Sequence, residues 1–273
     1  MIKINCLVEN SVKFGTHFWG EHGLCLFVEK KDFRFFVDAG GSKEVLQHNI
    51  EIAKLNPEIT EVITISHGHY DHTTGLPWLL QRMRMPKLYA HPEIFAEHYA
   101  YSNEKYRYIG VQFEKDEIAA LCELKLTREP VEISEGVYFS GEIPGARQKK
   151  GKFYLKVEEK YVEDKLIDDT AVYLTTKKGA IVIFGCGHAG VINTLEHAKT
   201  VTGQKIYAIF GGTHLVSASS NELKEVVEYL KAEDVEMLRL SHCTGNEAAW
   251  MLTKEFGKKF ENFTAGSLEL IEA

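Results

Sequence analysis

Ser66-His67-Gly68-His69-Tyr70-Asp71-His72 places three imidazoles and a carboxylate within six positions. A folded chain has little structural reason to gather these side chains. Imidazole and carboxylate together suit zinc, iron or manganese, so the stretch reads as a metal-binding motif. The run before it, Glu61-Val62-Ile63-Thr64-Ile65-Ser66, is β-branched and apolar and predicts a buried strand. The run after it, Thr73-Thr74-Gly75-Leu76-Pro77-Trp78-Leu79-Leu80, begins with a hydroxyl cap and predicts a helix. The ligands therefore sit on a strand-to-helix turn, where Gly68 lets the backbone bend and alternate side chains point apart. His67 and His69 are placed to hold one ion, with Asp71 and His72 holding a second beside it.

Working outward, 273 residues with 44% hydrophobic and 26% charged side chains describe a soluble globular chain. One large domain over 1–273 is the expectation, with inserts near 92–128 and 141–168. The net charge of −7 argues against nucleic acid as an obligatory partner and leaves a small-molecule substrate. No apolar run approaches the about 18 residues of a membrane span, and Met1 to Val8 alternates like a strand, not a signal peptide. Five cysteines without a Cys-x-x-Cys pair point to free thiols in a reducing compartment, hence a cytoplasmic location. Nothing in the pattern sets an oligomeric state.

Leu24–Glu29 and Phe33–Asp38 predict a hairpin across Lys30-Lys31-Asp32. Asp38 ends that hairpin before Ala39-Gly40-Gly41, either as a plain turn residue or as a carboxylate orienting a metal-bound imidazole. Ser42 to Leu55 has helical spacing, stopped by Asn56-Pro57. Lys87 to Ala90 is a short strand, and 92 to 128 looks less regular. There Tyr99, Tyr101, Tyr106 and Tyr108 either form a cap that stacks on a flat substrate or pack the insert onto the domain. A hairpin over 131–140 leads into Gly141-Glu142-Ile143-Pro144-Gly145-Ala146-Arg147-Gln148-Lys149-Lys150. This glycine-rich basic stretch is either a substrate loop, with Arg147 and Lys149 meeting an anion, or a solvated charge run.

The second half repeats one theme. Ala180–Phe184 leads to Gly185-Cys186-Gly187-His188, Ile206–Phe210 to Gly211-Gly212-Thr213-His214, and Met237–Ser241 to His242-Cys243-Thr244-Gly245. Each is a buried-type strand ending in a small-residue turn with a histidine, and helices follow over Val191 to Thr202, Ser219 to Lys231 and Gly245 to Phe256. In a layered α/β fold ligands gather at strand ends, so these histidines can converge on the His67 cluster as a dinuclear centre.

On these motifs the chain resembles the metallo-β-lactamase superfamily, through His67-x-His69-x-Asp71-His72 between a strand and a helix. Gly185–Thr194, Gly211–Leu215 and His242–Gly245 resemble its branch named after the dihydropterin ribofuranosyl-aminobenzene-phosphate synthase of methanopterin biosynthesis. The resemblance implies a four-layer αββα sandwich with two divalent metal ions at one edge, zinc first, with iron or manganese as alternatives. Carried over by position, His67, His69 and His188 bind the first ion, and Asp71, His72 and His242 the second. One departure stands out: where many members carry a bridging aspartate, this chain has Gly185-Cys186-Gly187-His188. The resemblance leaves three substitutes open: a Cys186 thiolate, a mixed duty for His188 with Glu142 filling part of another motif, or water alone. The implied chemistry is metal-assisted hydrolysis, or condensation as in the dihydropterin synthase, with Asp71 orienting water and His214 serving the leaving group, and the basic loop points to a small anionic, phosphorylated metabolite as substrate. A di-iron oxidoreductase and a metal-binding module with little turnover are the competing expectations.

Overall fold

The computed structural model describes residues 1–145 and 153–272. In chain order, β1 (Ile2–Val8), β2 (Cys25–Lys30) and β3 (Phe33–Val37) run antiparallel, and β4 (Val62–Thr64) and β5 (Lys87–Ala90) add on in parallel. Next come β6 (His98–Ser102), β7 (Lys105–Tyr108) and β8 (Glu123–Leu126), then β9 (Val131–Ser134) and β10 (Val137–Phe139). After β11 (Phe153–Val157) and β12 (Lys160–Glu163) follow β13 (Ala171–Thr175), β14 (Ala180–Phe184), β15 (Ile206–Gly212), β16 (Met237–Ser241), β17 (Phe260–Asn262) and β18 (Leu268–Ile271). They form two seven-stranded sheets, β18-β1-β2-β3-β4-β5-β8 and β17-β16-β15-β14-β13-β10-β9, and a four-stranded sheet, β12-β11-β6-β7.

The alternation of side chains along each strand explains the layers. In β2 and β3, Leu26, Val28, Phe35 and Val37 face inward onto Phe139, Val172, Ile181, Ile183 and Phe210 of the second sheet. Phe27 and Phe36, pointing the other way, pack under α1 (Lys43–Ile52) and, past the short α2 (Tyr70–Thr73), α3 (Leu76–Leu80). The short α4 (Lys115–Ala119) joins that layer through Ile118. On the far side, α5 (Val191–Thr202), α6 (Ser220–Ala232) and α7 (Asn246–Phe256) cover Val182, Phe184, Ile209 and Leu238. Helix, sheet, sheet, helix is the expected αββα sandwich. Strands β14 and β15 read as apolar runs because they pair in parallel and are covered on both faces.

Two expectations change. The helix after the histidine motif begins at Tyr70, not Thr73, with His69 as its N-cap. Its single turn has no side-chain cap; distant backbone holds it, with Tyr70 N–H donating to Ile109 (2.8 Å), Leu24 N–H to Asp71 (3.2 Å) and Ala39 N–H to His72 (2.8 Å). Asp71 and His72 therefore lie in a helical first turn. The stretch 92–128 is also more regular than its composition suggests, since β6 and β7 pair with β11 and β12 from beyond residue 150. Among the described residues no helix is long and apolar enough to cross a membrane, and all five cysteines are buried free thiols.

Candidate metal centre

Parallel strands of both sheets end at one edge. Asp38 follows β3, the His67 motif follows β4, and His188, His214 and His242 follow β14, β15 and β16. Two sets of donors result. In the first, the nitrogens of His67, His69 and His188 lie within 4.8 Å of one another, with His67 Nε2 3.0 Å from His69 Nδ1. In the second, Asp71 Oδ2 is 3.6 Å from His72 Nε2 and 3.4 Å from His242 Nε2, and the two nitrogens are 3.2 Å apart. Donors about 2.1 Å from a tetrahedral ion stand ~3.4 Å from each other, so this triangle has the size of a coordination face.

The outer hydrogen bonds set which nitrogen each ring presents. Asp38 Oδ1 accepts Ser66 N–H (2.7 Å), while Oδ2 accepts the Ser66 hydroxyl (2.8 Å) and His72 Nδ1–H (2.7 Å). Ser66 has spent its proton on Asp38, so its oxygen accepts from His67 Nδ1 at 2.9 Å. His242 Nδ1 faces Asn10 Oδ1 at 3.0 Å. Nε2 of His67, His72 and His242 is thereby left to the cluster interior, the orientation metal-ligating histidines require. Two such nitrogens 3.2 Å apart repel unless a cation lies between them, and either a proton or a metal ion meets that demand. The donor set fits divalent ions.

Electrostatics follow from burial and these neighbours. Burial, with His72 and His69 close by, pushes His67 well below the usual imidazole range; burial and His98 do the same to His69. Both are neutral, as ligands must be. Burial lowers His72 as well, but the charges of Asp38 and Asp71 overcome it and carry the group up to about 9. For Asp71, burial opposes ionisation, yet His72 and His242 outweigh it and hold the carboxyl well below its usual range.

Asp38, His214 and His242 adopt positive φ values of 62°, 46° and 54°. Left-handed backbone at non-glycine residues costs roughly 1–3 kcal/mol each, so the hydrogen bonds around these turns must hold them in place. Gly185 is required by close approach: a Cβ there would lie 2.0 Å from Ser66 Oγ.

Cys186 Sγ lies 3.3 Å from His72 Nε2, and His214 sits beside His188 with ring centroids 4.2 Å apart and the planes tilted by 46°. Glu142 pairs instead with Arg128 (2.6 Å) and His91 (3.3 Å). Arg147 and Lys149 lie outside the described residues. The tyrosines alternate onto one face of the four-stranded sheet, where Tyr106 stacks on Tyr161 at 3.6 Å and Tyr99 meets Tyr108 and Tyr161. The opposite face points Phe153 and His98 at the cluster, each 5.5 Å from His69 by ring centroid. It is thus Phe153, not the tyrosines, that covers the site.

Several residues escaped the sequence reading. His22 Nε2 sits 3.2 Å from Asp71 Oδ2 on a half-exposed loop, with no motif around it. Glu9 receives His242 N–H at 2.7 Å, closing the site from the first strand. Asp168 and Asp169 accept Gly68 N–H (2.8 Å) and Ala189 N–H (2.7 Å), bracing both histidine loops. Tandem acids directly before a buried strand were the available signal.

Comparison with known proteins agrees with this geometry. Residues 19–202 match the family model described as the metallo-beta-lactamase superfamily. A 7,8-dihydropterin-6-methyl-4-(beta-D-ribofuranosyl)-aminobenzene-5'-phosphate synthase of Methanocaldococcus jannaschii is 30% identical over 282 residues, spanning 98% of this chain and 96% of that protein. A ribonuclease Z of Sulfolobus acidocaldarius is 25% identical over 268 residues, 86% of this chain and 87% of the relative. Among solved structures, a metal-dependent hydrolase of the beta-lactamase superfamily superposes with a TM-score of 0.84 at 26% identity, covering 100% of both chains.

Proposed function

The chain belongs to the metallo-β-lactamase superfamily, and from that premise we propose that the histidine cluster is the dinuclear centre of a metal-dependent hydrolase acting on a small anionic, phosphorylated metabolite. The observation that carries the reading is the pair of three-donor sets, in which Ser66, Asp38 and Asn10 turn the ring nitrogens of His67, His72 and His242 inward. Two divalent ions bound there would lower the pKa of bound water towards neutrality and polarise a carbonyl or phosphoryl oxygen. The protein's own groups do the rest. Asp38 holds two histidines in one tautomer, and ionised Asp71 orients water against the second donor set. His214, whose Nδ1 is buried without a hydrogen-bond partner among the described residues, stands beside His188 to donate to a leaving group. Phe153 keeps solvent from one side of the cluster.

The phosphate part of the proposal rests on Arg147, Lys149, Lys150 and Lys152 in an otherwise acidic chain, with Arg147 suited to two-point grip of a phosphate. The two relatives, a 5'-phosphate synthase and a ribonuclease, support a phosphorylated substrate. Metal analysis of protein purified without added metal, joined to a panel of phosphodiesters, phosphomonoesters, lactones and thioesters, is the test. Two equivalents of zinc with turnover of a phosphorylated compound are expected. Two equivalents of iron with oxygen-dependent turnover would replace the hydrolase by an oxidoreductase, since this ligand set accepts both metals. Charge reversal at Arg147 and Lys149 should raise KM, by less as salt rises. Reaction with neutral esters and lactones alone would end the phosphate reading.

A further inference from the structure

The two donor sets share no residue, and the buried thiol of Cys186 stands between them. Its sulfur is 3.3 Å from His72 Nε2 of the second set. With His72 and with His67 of the first set it forms a third group whose ligand atoms all lie within 4.8 Å. We infer that Cys186 is a metal ligand that bridges the two ions as a thiolate, in the place where a carboxylate would otherwise join them. The inference rests on the dinuclear reading above.

Charge gives the first reason. The six other donors are five neutral imidazoles and one carboxylate, so among the ligating atoms two divalent ions would bring four positive charges against one negative charge, with the buried Asp38 carboxylate one hydrogen bond further out. An anion shared by both ions reduces that excess most effectively, and zinc takes thiolate readily. Two bonds of about 2.3 Å to one sulfur reach ions the about 3.5–4 Å apart found in paired sites.

Aim is the second reason. The loop is anchored on three sides: Gly185 C=O accepts Gly212 N–H (3.1 Å), Cys186 C=O accepts the Cys243 thiol (3.3 Å), and Ala189 N–H donates to Asp169 (2.7 Å). These bonds fix the backbone on either side of Cys186. Cys243 groups with Cys186 and His214, not with His67 and His72, and its sulfur contacts Cys186 C=O and His214 N–H (3.2 Å). As the ions bind and the metal–sulfur bonds form, the Cys186 thiol proton leaves to solvent.

Cobalt(II) reports the bond directly, because thiolate ligation gives a sulfur-to-cobalt charge-transfer band in the near ultraviolet. Wild-type protein, Cys186→Ser, Cys186→Asp and Cys243→Ser would be loaded with cobalt, counted for metal and scanned. Wild type and Cys243→Ser should bind two ions and show the band. Cys186→Ser should lose the band and hold one ion at least about tenfold more weakly. Cys186→Asp, which supplies a bridging carboxylate, should recover two ions without the band, and it carries the test if the serine variant fails to fold. A band that persists in Cys186→Ser or Cys186→Asp, or two ions bound by wild type without one, overturns the thiolate bridge alone. Fewer than two ions in wild type overturns the dinuclear reading and the bridge with it.

Discussion

Replacing Asp38 by Asn changes one oxygen to an amide nitrogen and should disturb both donor sets at once. Asp38 Oδ2 accepts two protons, from Ser66 Oγ at 2.8 Å and from His72 Nδ1 at 2.7 Å, while Oδ1 accepts Ser66 N–H at 2.7 Å. If the asparagine keeps its oxygen on Ser66 N–H, its NH2 group meets Ser66 Oγ and His72 Nδ1 as a donor. Ser66 then turns its hydroxyl proton to His67 Nδ1, and His67 and His72 both move their ring proton to Nε2, facing the cluster. If the amide flips, Ser66 N–H is left buried against a donor, costing about 1–3 kcal/mol. Loss of a partner that fixes a ligand's tautomer lowers metal affinity about 10–100-fold, or ~1.4–2.8 kcal/mol per ion. Competition against a chromophoric chelator measures the affinity, and circular dichroism of metal-free protein checks the fold. Asp38→Asn protein that is folded and binds metal as tightly as wild type would refute this role of Asp38 in fixing the two tautomers.

Three further outcomes follow from the same geometry. Gly185→Ala drives a methyl into Ser66 and should destabilise the protein by about 1–3 kcal/mol, read as a lowered denaturant midpoint at unchanged slope; an unchanged midpoint counts against the packing described. His214→Ala should leave metal content near wild type and lower turnover by roughly a hundredfold or more, and loss of an equivalent of metal would make His214 a ligand instead. In chelator-treated protein, His72 at about 9 lies above its unfolded value, so the stability it adds is complete below pH ~6.5 and is lost as pH rises through about 9. Unfolding followed across that window should show a decline in wild type that His72→Gln abolishes; equal pH dependence in both would contradict it.

Much of this protein is legible in its sequence, because the signals are local. The unbroken apolar run in Ala180–Phe184 reports burial on both faces, and α5 begins and ends where its pattern does. His67, His69, Asp71 and His72 announce metal chemistry through spacing alone. Tertiary structure decided everything that depends on chain segments meeting. The one-turn helix at Tyr70–Thr73 lacks a side-chain cap and exists because Ile109, Leu24 and Ala39 supply its outer hydrogen bonds. In sequence Tyr99–Tyr108 is either a substrate cap or a packed insert, and the pairing of β11 with β6 decides it by turning the tyrosines away from the histidines. His22, Glu9 and Asn10 reach Asp71 and His242 across gaps of 49 to 233 positions, and nothing in their neighbours foretells it. A motif records which donors a metal site needs. Which nitrogen each donor presents, and which thiol lies between the two sets, is set by hydrogen bonds between strand ends that only the packed sheets bring within 3 Å of each other.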